Sequence, residues 1–347
     1  MTSSATTTSA LPDGLPDVPD PHDAPPLRWG ILGAGGIARK FATEVPANSS
    51  QQVVAVGSRS VDKAEEFAQA HGIGRAHGSY AGLLADPEVD VVYVATPHSH
   101  HREHAVLALE AGKPVLVEKA FTRNAGEARE VLAVAEERGL FAMEAMWTRF
   151  LPHMVVLRAV AASGVLGEIL AVRGDHGQRL PLVERLREPS LAGGALLDLG
   201  VYPVSFIHSV LGAPENVHAA GALNELGVDV HEAVTLGYGR TVAVATANMW
   251  ARSRTDASVI GTEGRIDVAG SAWAPTTITV TPADGEAWTW PGDGTRLGGF
   301  QHQAAEVARC VTAGQQESPV MPWSATIEVM EIMDEVRRQL GVVYPGE

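Results

Sequence analysis

From Leu27 onward, short apolar runs alternate with stretches whose apolar positions recur at helical spacing. Leu27 to Leu32 is predicted as a strand, followed by the turn Gly33-Ala-Gly-Gly-Ile-Ala38 and a helix over Arg39 to Val45. A strand over Gln52 to Ser58 and a helix over Val61 to His71 come next, then a weaker strand at Arg75 to His77 and a short helix at Tyr80 to Ala85. Val89 to Thr96 is almost wholly apolar, as suits a parallel strand covered on both faces. Ser99 to Ala111 reads as a helix stopped by Gly112, Pro114 to Lys119 as a strand, Ala125 to Arg138 as a helix and Leu140 to Met146 as a strand. This alternation predicts a doubly wound parallel sheet of Rossmann type through residue 147.

The rhythm then changes. Leu166 to Asp175, Asn216 to Ala222, Glu232 to Tyr238, Thr241 to Trp250, Ala257 to Ile260, Gly264 to Val268 and Thr276 to Thr281 read as strands without intervening helices. A helix over Gly193 to Val210 would cover them, and helices over Phe300 to Thr312 and Ser324 to Leu340 close the chain. The second part, residues 148–347, is therefore expected to be an α+β domain with a largely antiparallel, open-faced sheet. Val242 to Trp250 is too apolar to leave bare, which predicts a homodimer or higher oligomer paired through that face.

Composition narrows the functional classes. Of 347 residues, 45% are hydrophobic and 19% charged, as in ordinary globular proteins. Forty-one acidic against 26 basic residues give a net charge of −15, which argues against nucleic acid as a partner. No run of about eighteen apolar residues appears, so no membrane span is expected. Residues 1–26 are rich in Ser, Thr, Pro and Asp, lack the basic start and apolar stretch of a signal peptide, and are expected to be disordered. The lone Cys310 fits a reducing, cytoplasmic setting.

Candidate chemistry gathers where strands end. Gly33, Gly35 and Ala38 form G-x-G-x-x-A between a strand and a helix, where glycine lets a pyrophosphate approach the helix's first amides. The second strand ends in Gly57-Ser58-Arg59 instead of a carboxylate, a combination suited to a 2'-phosphate. Glu118-Lys119 closes the fifth strand, at the edge where doubly wound sheets bind ligands. Asp198 and Tyr202, four apart, would share a helix face, and a nearby lysine would lower the tyrosine's pKa.

His98, His100, His101 and His104 crowd into Ala95-Thr-Pro-His-Ser-His-His-Arg-Glu-His104, and residues 100 and 104 have the spacing of two zinc ligands on one helix face. No cysteine is near in sequence and Glu103 points elsewhere, so no metal is expected. The stretch is read as polar lining of a cofactor site plus a solvated helix face.

These motifs, with Val117-Glu-Lys-Ala120, Glu144-Ala-Met-Trp-Thr-Arg-Phe-Leu-Pro152, Gly193-Gly-Ala-Leu-Leu-Asp-Leu-Gly-Val-Tyr-Pro203 and Glu317-Ser-Pro-Val-Met-Pro322 in order, resemble the glucose-fructose oxidoreductase and inositol dehydrogenase family, Gfo/Idh/MocA. Within that family the chain resembles the dimeric dihydrodiol dehydrogenase and NADP-dependent D-xylose dehydrogenase branch. The resemblance implies a catalytic group of Lys119, Asp198 and Tyr202. It implies cofactor contacts from Gly33, Gly35, Gly36, Ile37, Ala38, Ser58, Arg59, Thr96, Pro97, His98, His101, Glu118, Lys119, Trp147 and Arg149.

Ala120 replaces the family's proline after the lysine, and Tyr202 stands where inositol dehydrogenases carry histidine. The implied function is hydride transfer between NADP, with NAD as the lesser possibility, and a carbinol carbon of a sugar, polyol or dihydrodiol. The alternatives are a sugar ketoreductase of a biosynthetic pathway and a non-catalytic dinucleotide-sensing regulator.

Overall fold

The computed structural model describes residues 14–292, 294 and 298–347. Its first sheet contains β1 (Arg28–Leu32), β2 (Gln52–Gly57), β3 (Arg75–His77), β4 (Val91–Val94), β5 (Val115–Val117) and β6 (Ala142–Glu144). All pairings are parallel, in the order β3-β2-β1-β4-β5-β6. The connections include helices α1 (Gly36–Ala47), α2 (Val61–His71), α3 (Tyr80–Leu84), α4 (His101–Glu110) and α5 (Ala125–Arg138). The strand order reverses between β1 and β4, and that switch point opens a crevice at the strands' C-terminal ends.

Local chemistry explains why these boundaries were readable. Ser60 and Asn124 cap α2 and α5 by accepting backbone N–H bonds, while Gly72 and Gly139 end the same helices in the left-handed conformation. Every residue of β4 is buried, as its unbroken apolar run requires. Phe41 stacks on Tyr93 at 4.0 Å, fastening α1 to β4 beneath the glycine turn.

After α6 (Pro152–Ala162) comes the second sheet, of β7 (Ile169–Gly177), β8 (Asn216–Leu223), β9 (Asp229–Tyr238), β10 (Thr241–Asn248), β11 (Ala257–Gly261), β12 (Gly264–Val268), β13 (Ile278–Pro282) and β14 (Trp288–Trp290). Its order is β14-β13-β12-β11-β7-β10-β9-β8, antiparallel except for the central β7–β10 pair. Between β7 and β8 lie α7 (Glu184–Arg187), a π-helical turn (Leu196–Gly200) and α8 (Val201–Leu211). Ala243, Ala245 and Ala247 face this covering layer, whereas Val242, Val244 and Thr246 point to the open side. Polar residues join them there, because Val244 pairs with Thr235 and Arg173, and Arg173 with Ser258. The open face is thus more polar than the Val242–Trp250 run suggests.

Several expectations need correction. Helix α6 was not anticipated, although Pro152 occupies a first-turn position where its missing N–H costs nothing. The single helix expected over 193–210 is interrupted by the π turn, and β14 was missed. Pro189–Leu211 is long and apolar enough to cross a membrane, but 89% of its apolar window is buried inside the fold, which marks it as a core helix.

The tail expected to be disordered is ordered where it is described. Pro21–Asp23 forms a 3-10 turn, Ala24 is buried with Ala305 and Ala308, and Arg309 donates to the Asp20 carbonyl at 2.8 Å. Residues 1–13 of that tail lie outside the described residues.

The last helices pack on both parts of the chain. Helix α9 (Phe300–Thr312) returns to pack on α1, and α10 (Trp323–Leu340) lies against α5, α8 and β8.

Candidate active site

Lys119 follows β5 and Asp198 sits in the π turn, and the fold brings them together across the two sheets. The ammonium donates to the Asp198 carbonyl at 2.7 Å and to its Oδ1 at 3.3 Å, and Arg185 adds a bond to Oδ1 at 3.0 Å. Burial opposes both charges, but each partner outweighs it: Lys119 is held above its ordinary pKa, and Asp198 well below the carboxylate range by Lys119 and Arg185.

Tyr202 begins the next turn. The Lys119 ammonium lies 4.9 Å from its ring centroid, and its hydroxyl accepts from Trp147 Nε1 at 3.2 Å. Here the expectation of a lowered tyrosine pKa fails. Burial raises it, Lys119 opposes, and the net direction is upward because burial, reinforced by the Glu118 and Asp198 carboxylates, outweighs the ammonium.

The glycine turn forms one side of a cavity of about 330 Å3 lined by Gly35, Gly36, Ile37, Thr96, Pro97 and His98, with Glu118, Lys119, Arg185 and Asp198 at its floor. Gly33 has φ +106°, and a Cβ there would meet the Ala95 carbonyl at 3.0 Å, so glycine is required. A Cβ on Gly36 would meet nothing within 4 Å, leaving open space over the start of α1, whose N-cap Gly35 offers no side chain. Uncapped amides beside open space fit a dinucleotide pyrophosphate.

Glu118 is buried with its pKa raised by burial, and it accepts the Tyr93 hydroxyl. The His98 ring nitrogens lie 3.0 and 3.1 Å from the carbonyls of Ala192 and Lys119, and burial lowers its pKa to about 3. A neutral imidazole can donate to one of them, and either way the ring ties the two halves of the site together.

A second cavity of about 600 Å3 shares Ile37, Lys119, Arg185 and Asp198 with the first and opens over the second sheet. Tyr202, Trp147 and Trp273 line it, together with His176, whose ring meets Tyr202 edge-on at 5.0 Å. Burial lowers the His176 pKa to about 4, so the ring is neutral at pH 7. Sequence reasoning missed His176 and Arg185 because neither lies in a motif; only strand pairing and the turn at α7 bring them here.

Other sequence candidates lie elsewhere. Ala38 is wholly buried against the sheet, and His101 is buried with its nitrogens 2.8 and 2.7 Å from the Ala120 and Thr96 carbonyls, bracing two loops instead of lining the cleft. Arg149 turns away into α8, donating to Ser205 Oγ at 2.8 Å and to its carbonyl at 3.1 Å. Trp147 lines the larger cavity and stacks on Phe300.

Ser58 and Arg59 follow β2. Ser58 is buried, and Arg59 is exposed without an ion pair among the described residues. His104, expected on a solvated face, is buried against Tyr80 and Thr96. No group of three metal-ligating side chains occurs among the described residues.

Comparison with known proteins agrees with this geometry. Residues 27–146 match the model of an oxidoreductase family with an NAD-binding Rossmann fold, and residues 154–267 match the GFO/IDH/MocA C-terminal domain. The chain is similar to trans-1,2-dihydrobenzene-1,2-diol dehydrogenases: 40% identical to that of Bos taurus, covering 92% of this chain and 99% of the relative. It is 39% identical to that of Homo sapiens with the same coverage. Among solved structures, a 3-ketoreductase from Actinomadura kijaniata in complex with NADP and TDP-benzene superposes with a TM-score of 0.79 at 28% identity, over 91% of this chain and 98% of that one.

Glu144, at the end of β6 beneath the Lys119 loop, gives the fold a pH dependence. It accepts from Phe121 N at 3.1 Å, and burial raises its pKa to about 7 from an ordinary 4.5. The folded state therefore binds a proton that the unfolded chain releases, so this group's stabilisation is complete below pH 4.5 and lost as pH rises through 7. Glu144→Gln keeps an acceptor for Phe121 and removes the titration. Its unfolding free energy from urea titration should gain on wild type between pH 4.5 and 8, by on the order of 3 kcal/mol at most. Parallel profiles would contradict the assignment.

Proposed function

Because the chain belongs to the Gfo/Idh/MocA oxidoreductase family in both its Rossmann and its C-terminal parts, we propose that it is an NADP-dependent oxidoreductase acting on a CH–OH group of a sugar, polyol or dihydrodiol. The observation that carries this reading is the buried Lys119–Asp198 pair with Tyr202, set where a dinucleotide cleft meets a larger cavity.

Nicotinamide bound in the cleft supplies the hydride acceptor or donor. Gly35, Gly36 and the first amides of α1 would hold its pyrophosphate, and Thr96, Pro97 and His98 would line the same cleft. Tyr202 exchanges the proton of the substrate hydroxyl. Burial raises its pKa, so the phenol holds a proton to give when the substrate is a carbonyl. Lys119 stabilises negative charge on the substrate oxygen and on the phenolate, and Asp198 with Arg185 orients the lysine. Trp147 fixes the phenol's direction.

We further place the protein in the cytoplasm, on the strength of its one buried cysteine, and assign it a homodimeric or higher state through the open face of the second sheet. The apolar part of that face, Val242, Val244, Ala171 and Ile260, is continuous in register.

Three outcomes test these readings. Tyr202→Phe should keep NADP affinity and lose about a hundredfold or more in turnover. Near-normal turnover would remove Tyr202 from the mechanism, and a wild type that binds NADP but reduces none of it with any sugar or diol would be a regulator.

Arg59, exposed beside the buried Ser58, should favour NADP over NAD by roughly ten- to a hundredfold, since a charge-assisted bond contributes about 1.5 to 3 kcal/mol. Comparing kcat/KM for both cofactors in wild type and Arg59→Ala checks this, and an undiminished preference in the variant would exclude Arg59. Light scattering at micromolar concentration should give at least a dimer mass, and Val244→Asp should shift it toward monomer; a purely monomeric wild type would contradict the assembly.

A further inference from the structure

The larger cavity has a charge pattern opposite to that of the chain. The protein carries a net charge of −15, yet Lys40, Lys119, Arg179, Arg185, Arg252 and Arg254 all line this cavity, and Asp198 is the one carboxylate among its described lining residues. Most of these cations have partners. Lys119 and Arg185 share Asp198, Lys40 lies 3.9 Å from Glu44, and Arg254 bonds Asp256 at 2.9 Å. Arg179 and Arg252 have no ion pair or side-chain hydrogen bond among the described residues, and both are exposed.

Two features separate these arginines from an ordinary solvated surface. They come from different segments, Arg179 just beyond β7 and Arg252 from the β10–β11 connection, so chain proximity does not group them; the fold turns both toward the cavity that holds Tyr202. Ser253, Thr255 and Ser271 line the same cavity and add hydroxyl donors. Neither arginine lines the glycine-turn cavity, so they are not placed for the cofactor's pyrophosphate.

Like charges gathered without counter-charges repel one another, and an anion relieves that cost. A neutral sugar would leave both guanidinium charges without a counter-charge. A phosphate offers three acceptor oxygens to two forked donors and flanking hydroxyls, which a single carboxylate does not.

We propose that the substrate is a sugar or polyol derivative carrying a phosphate group, bound with its reacting carbinol at Tyr202 and its phosphate at Arg179 and Arg252. This rests on the oxidoreductase reading for the carbinol and on the cavity's charge for the phosphate.

The test is calorimetric binding of D-glucose, D-glucose 6-phosphate, UDP-glucose and D-glucuronate to NADP-saturated wild type and Arg179→Gln/Arg252→Gln, at low and physiological salt, with turnover measured in parallel. At least one phosphate ligand should bind tenfold or more tighter than D-glucose, with an advantage that shrinks as salt rises. The double variant should lose roughly tenfold of that advantage, with unchanged NADP affinity showing that it is folded. Preference for D-glucose 6-phosphate would assign a terminal monoester, and preference for UDP-glucose a nucleoside diphosphate.

Equal affinity for D-glucose and both phosphates, an advantage that survives in the variant, or tighter binding of D-glucuronate than of either phosphate would overturn the proposal. Phosphate-dependent binding without turnover of any sugar would instead overturn the oxidoreductase reading and leave the phosphate site standing.

Discussion

The contact between Lys119 and Asp198 is the constraint on which the site depends. Each charge is buried, and neither would be tolerated alone, because taking an ion out of water costs several kcal/mol unless a partner and hydrogen bonds replace the solvent. The two residues belong to different halves of the fold, one following β5 and the other in the turn covering the second sheet. The requirement that they meet therefore fixes how the Rossmann half faces the antiparallel half. Both cavities open beside this pair, so cofactor and substrate positions are set by the same contact.

The segment carrying Asp198 is held at several points. Tyr344 donates its hydroxyl to the Gly193 carbonyl at 2.6 Å, Asp229 accepts from Leu196 N at 2.6 Å, and Lys119 holds the Asp198 carbonyl. Tyr344 can do so because α10 brings the chain's end back between the halves, where Arg337 also donates to the Arg123 carbonyl at 2.6 Å. The last helices act as a brace across both halves, which places a π turn, a geometry frequent at functional sites, under firm support.

Electrostatics divides the molecule by position. The chain's total charge is acidic, while the cations around the larger cavity create a local field of the other sign. Screening confines each field to about 8 to 10 Å at physiological salt, so the overall charge does little to an anion already inside the cavity.

The sequence by itself determined the parallel sheet, its helices and the glycine turn, since Ser60, Gly72, Asn124 and Gly139 mark helix ends through local hydrogen bonding that needs no distant partner. It also singled out Lys119, Asp198 and Tyr202, because each lies in a compact motif. It could not place Arg149 or His101, whose motifs are equally clear but whose side chains turn to Ser205 and to the Thr96 and Ala120 carbonyls. His176, Arg179, Arg185 and Arg252 were invisible for the opposite reason: they stand in no motif and converge only through strand register and loop packing. Tertiary structure alone decided the direction of the Tyr202 pKa. The sequence suggests a lysine nearby, but burial of the phenol, which only the fold creates, outweighs that charge.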